Sequence, residues 1–67
     1  MQQAVMVARG GEVCFWRIGD DIYRTTGTVP GVDVYGLPMG RRFECSTLHW
    51  ERFRGVYTWA IDVETAA

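Results

Sequence analysis

Four of the seven arginines in this chain, Arg41, Arg42, Arg52 and Arg54, fall in one short stretch, interleaved with Phe43, His49, Trp50 and Phe53. A guanidinium is a planar fork of donors that matches carboxylates and phosphates, and flat rings fill pockets on a partner or stack on bases. The chemistry of residues 41–54 is therefore recognition. In a protein complex Trp50 and Phe53 would be the desolvated anchors, and Arg41, Arg42, Arg52 and Arg54, with His49 among them, would select an acidic counterpart.

Charge supports a local surface rather than a global one. Residues 41–54 carry +2 with His49 neutral, residues 1–40 carry −1 and residues 55–67 carry −2. The whole chain is at −1 with a pI near 5.6, so no overall field draws it to nucleic acid or anionic lipid. An acidic protein surface is the expected partner, and no membrane partner is expected. A single nucleic-acid strand gripped by the same stretch is the competing class, with Phe15, Trp16, Arg17, Tyr23 and Arg24 adding rings and cations from adjacent strands. Composition offers a plainer account of the arginines. The chain has no Lys and no Asn, both of which have A-rich codons, and this is the bias of a GC-rich bacterial genome.

Catalysis finds little support. Cys45 and His49 stand four residues apart, but a thiolate nucleophile needs a base held by a third group and an oxyanion hole, and neither is visible. Two cysteines and one histidine are too few for a structural zinc site, and no CxxC or HxxxH spacing occurs. Asp20-Asp21 reads as turn chemistry, and Gly10-Gly11 joins two strand patterns rather than leading into a phosphate-binding helix. The expectation is a non-enzymatic interaction module with no catalytic residue, metal or cofactor.

At 67 residues the chain is one domain, 1–67, of a size that buries only about 60% of its unfolded surface. Apolar residues make up 48% and nine are aromatic, which is generous for so small an interior, so some rings stay exposed or meet a second copy as a homodimer. The five apolar residues Ala4 to Ala8, less a cationic lead, are too short for a leader or a span. Two cysteines, Cys14 and Cys45, do not make a disulfide framework, although they can be neighbours across a sheet. A cytoplasmic location with reduced thiols is the consequence.

The elements that would position these residues are mainly β. Residues 4–9, 13–18 and 22–26, separated by Gly10-Gly11, which supplies the positive φ angles of a tight hairpin turn, and by Gly19-Asp20-Asp21, read as a three-stranded meander. The first of these offers an edge for pairing with another copy. Residues 28–40, with Pro30, Pro38 and several glycines, read as a long surface loop or a stiff crossover. Residues 56–63 alternate with Tyr57, Trp59, Ile61 and Val63 on one face, a strand pattern. Between them, residues 42–50 alternate weakly as a strand. Thr47 can also cap a helical turn closed by Gly55, and Trp50 and Phe53 are spaced for a helix. The fold expected is a small antiparallel sheet of about five strands, with β-β-β-α-β and a short helix near 47–54 as the alternative.

Overall fold

Gly11 and Gly19 take the left-handed region, with φ of 57° and 61°. Each opens a two-residue turn, Gly11-Glu12 and Gly19-Asp20, between strands paired at Gly10–Val13 and Ile18–Asp21. Positive φ at the first central residue alone is the type II′ pattern, whose twist suits adjoining antiparallel strands. In the computed structural model, which describes residues 2–27 and 31–63, β1 (Ala4–Gly10), β2 (Val13–Ile18) and β3 (Asp21–Thr26) form the expected meander. β4 (Arg42–Ser46) and β5 (Ile61–Asp62) complete one antiparallel sheet in the order β4-β3-β2-β1-β5.

Five strands agree with the main sequence expectation, and the helix of its alternative is present as well. β4 ends at Ser46, whose hydroxyl accepts the Leu48 N–H and caps a 3-10 turn over Thr47–His49. The turn runs straight into α1 (Trp50–Val56). The cap is thus Ser46, not Thr47, and Gly55 lies inside the helix rather than closing it. Residues 56–63 are not a strand. Val56 ends α1, the Tyr57 N–H bonds to Arg54 O and the Ala60 N–H to Tyr57 O, and only Ile61 and Asp62 pair with β1. Arg54 holds the turn, its guanidinium donating to the carbonyls of Tyr57 and Ala60.

Three further expectations change. β1 is not an edge at its C-terminal half, because β5 pairs with Ala8 and Arg9. Gly10 does not share the positive φ of Gly11. It is required for space instead: a Cβ there would lie 2.5 Å from Trp59 Cε3 and 2.8 Å from the Trp59 carbonyl oxygen. The loop before β4 is a long connection between neighbouring strands β3 and β4 rather than a crossover. Its residues 28–30 lie outside the described residues, and the rest closes on a bridge between Val32 and Pro38.

Directly paired residues of neighbouring strands share a face. One face carries the row Asp62, Ala8, Phe15, Arg24 and Arg42 across all five strands. The other carries Met6, Trp16, Tyr23 and Phe43 across four of them. The second buries Cys14, Ile18 and Thr25 but leaves Phe43 exposed; the main core cluster lies on the first. There Phe15 is fully buried with Ala8, Ile22, Cys45 and Ala60, and Trp50, Tyr57 and Trp59 surround its ring at centroid distances of 5.2, 4.8 and 6.1 Å. Phe15→Ala should cost about 3–5 kcal/mol, the size of the whole margin of about 3–5 kcal/mol of so small a domain. The variant is expected to lose its cooperative thermal transition by circular dichroism; a melt like that of the parent would remove Phe15 from the centre of the core.

Candidate recognition surface

The structure distributes the expected site residues of 41–54 over four places. Arg41 turns back onto the loop before β4. Its Nη1 donates to Asp33 Oδ2 at 2.8 Å and to Pro38 O at 3.0 Å. Asp33 Oδ1 accepts the backbone N–H groups of Tyr35 and Leu37, so one carboxylate organises the loop from both oxygens. The guanidinium beside it, then the Leu37 and Tyr35 amides, hold the Asp33 carboxyl below the ordinary aspartate value.

Trp50 and Arg54 turn inward. They sit four residues apart, on the stripe of α1 that meets the sheet. Trp50 is half-buried against Phe15, and Arg54 pairs with Asp62 at 2.7 Å in addition to its two carbonyls. Arg54 thus ties the C-terminal turn of the helix to β5. The hydroxyl of Tyr57 donates to Glu44, the extra residue at an irregularity in β4, and fastens the same turn to the opposite edge of the sheet.

His49, Arg52 and Phe53 remain at the surface, joined by Val56 one turn on. At spacings of three and four they form one outward stripe. His49 and Arg52 are exposed, Val56 is 71% exposed and Phe53 36%, with Leu48 at 89% just before the stripe. Arg42 is exposed too, but it lies on β4, opposite Arg24. Helix stripe and sheet corner are therefore two surfaces that the sequence merges into one.

The opposite sheet face carries residues that a linear segment does not reveal. Trp16, Tyr23 and Phe43 are direct partners on three successive strands, Tyr23 and Phe43 meeting edge to face at 5.9 Å. The Trp16 indole N–H donates to Thr25 Oγ1 at 2.8 Å, which fixes the ring across the strands. Phe15 faces the core, so of the two neighbours only Trp16 belongs to this face. The Trp16–Tyr23 pairing follows from a two-residue turn at Gly19-Asp20; the place of Phe43 has no such local signal.

Cys45 is buried beside Ile22, while His49 is exposed at the start of α1. Burial, and then the charge of Glu44, push the Cys45 thiol up, away from the thiolate that a nucleophile requires. Cys14 pairs with Thr25 and faces away from the core cluster, whereas Cys45 faces into it, so the two are not neighbours across the sheet and both are free. Among the described residues no cluster of three or more His, Cys, Asp and Glu is placed to hold a metal ion, and no helix is long and apolar enough to cross a membrane.

Compared with known proteins, the chain matches no family model, no curated protein and no solved structure. The assignment of a role thus rests on the geometry alone.

The pH response of the loop follows from Asp33. Its folded value is lowered, so its contribution is present above the ordinary aspartate range and is lost as pH falls through the lowered value. In a carboxyl-carbon NMR titration Asp33 should titrate below a free aspartate, and Arg41→Gln should move its midpoint upward. A midpoint indifferent to Arg41 would break the link.

Proposed function

We propose that this protein is a non-catalytic interaction module that docks on an acidic protein surface through the cationic and apolar residues left outward in 41–54. The observation that carries the reading is the stripe His49, Arg52, Phe53 and Val56 on the outer side of α1, with Leu48 beside it. Large apolar side chains next to an Arg that has no ion-pair partner among the described residues are the composition of interface anchors rather than of an ordinary solvated helix face. Arg41, Trp50 and Arg54 act in this reading as the frame of the surface, since their side chains are engaged within the fold. The buried, protonated Cys45 supports binding over nucleophilic chemistry.

The test compares protein captured from a cell lysate by the parent, by Arg52→Glu and by Phe53→Ala. The parent and both variants are expected to melt within a few degrees of one another, because the changes are at the surface. A partner retained by the parent and lost from Arg52→Glu supports the reading. Retention unchanged in both variants, or loss of the fold in Arg52→Glu, overturns it.

A second reading, binding of a single nucleic-acid strand, is favoured by the aligned rings of Trp16, Tyr23 and Phe43, since such rows are platforms for base stacking. It predicts quenching of tryptophan emission by a mixed oligonucleotide, lost in Trp16→Ala, with affinity that falls steeply as salt rises. Emission unchanged at low salt excludes it.

A further inference from the structure

Arg24 and Arg42 are direct partners in the ladder between β3 and β4. Their Cβ atoms are thereby roughly 5 Å apart on one face of the sheet, where like charges repel. The ion pairs among the described residues are Arg41–Asp33 and Arg54–Asp62, and neither involves this pair. Of the acids near the pair, Asp21, three residues before Arg24, lies on the opposite face with Tyr23, and two others are engaged. Glu44, two residues on in β4, accepts the Tyr57 hydroxyl, and Asp33 holds Arg41.

We propose that Arg24 and Arg42 form a clamp for a carboxylate on an acidic segment of a partner protein. The proposal rests on the protein-interaction reading above and names a second point of contact, separate from the helix stripe. Two guanidinium forks facing one carboxylate can satisfy both of its oxygens, and the anion cancels the repulsion that the register imposes. Arg24 stands opposite Phe15 and is half-buried, so packing orders it before any ligand arrives. A net charge of −1 favours a local carboxylate over the long polyanion of a nucleic acid.

The probe is a hexaglutamate peptide, titrated at constant ionic strength while the arginine side-chain Nε–H resonances are followed by NMR. The Arg24 and Arg42 signals should shift with the peptide. Arg24→Gln and Arg42→Gln should each weaken it about two- to fivefold, the scale of exposed ion pairs. Without peptide at low salt, both variants should melt no lower than the parent, because removing one charge relieves the repulsion. Arg52→Gln should leave the peptide response intact. Equal binding by the parent and both Gln variants, or the same shifts produced by sodium chloride alone, overturns the clamp. So does a response to inorganic phosphate or an oligonucleotide in place of the peptide. A response lost in Arg52→Gln but kept in the other two overturns the clamp while leaving the helix-surface reading standing.

Discussion

Phe15 is the residue on which the arrangement depends. A seven-residue helix such as α1 is too short to hold its shape in water, and the turn over Tyr57–Ala60 has little hydrogen bonding of its own. Both are held because Trp50, Tyr57 and Trp59 converge on one ring at the middle of the sheet. That convergence needs room, which Gly10 provides by having no side chain where Trp59 crosses β1. On the other face Cys14, Ile18 and Thr25 are buried and Trp16 and Tyr23 half-buried, while Phe43 stands exposed at the edge of the row.

The arginines illustrate how one residue type serves different ends. Arg54 and Arg41 each reach backbone carbonyls together with a carboxylate. A guanidinium does this well because its donors point in several directions in one plane, whereas a carbonyl buried near a turn and left without a donor is costly. These two shape the helix-to-β5 turn and the loop before β4. Among the described residues, Arg24, Arg42 and Arg52 take part in no ion pair. Charge that is not used to close the structure is charge available to a partner, and this divides the basic residues more usefully than their clustering along the chain.

How far the sequence could be read depended on the range of the forces involved. Gly11 and Gly19 fix two short turns, and short turns fix register, so the pairing of Trp16 with Tyr23 and the opposite facing of Phe15 and Trp16 were legible from local rules. So was the clustering of arginine and aromatic residue types in 41–54. Residues 56–63 misled because alternation is necessary for a half-buried strand but not sufficient. Their aromatic residues do meet the core, yet from a turn held by a side chain of the preceding helix.

The sequence by itself determined the meander and the short turns that set its register, because these depend on contacts between near neighbours. Only the tertiary structure decided which arginines are spoken for, that Phe43 completes a row begun by Trp16, and that Arg42 stands against Arg24. Those outcomes hang on a long loop and an irregularity at Glu44 that set the position of β4. A slip of one residue there would exchange the two faces, and nothing local to β4 specifies it.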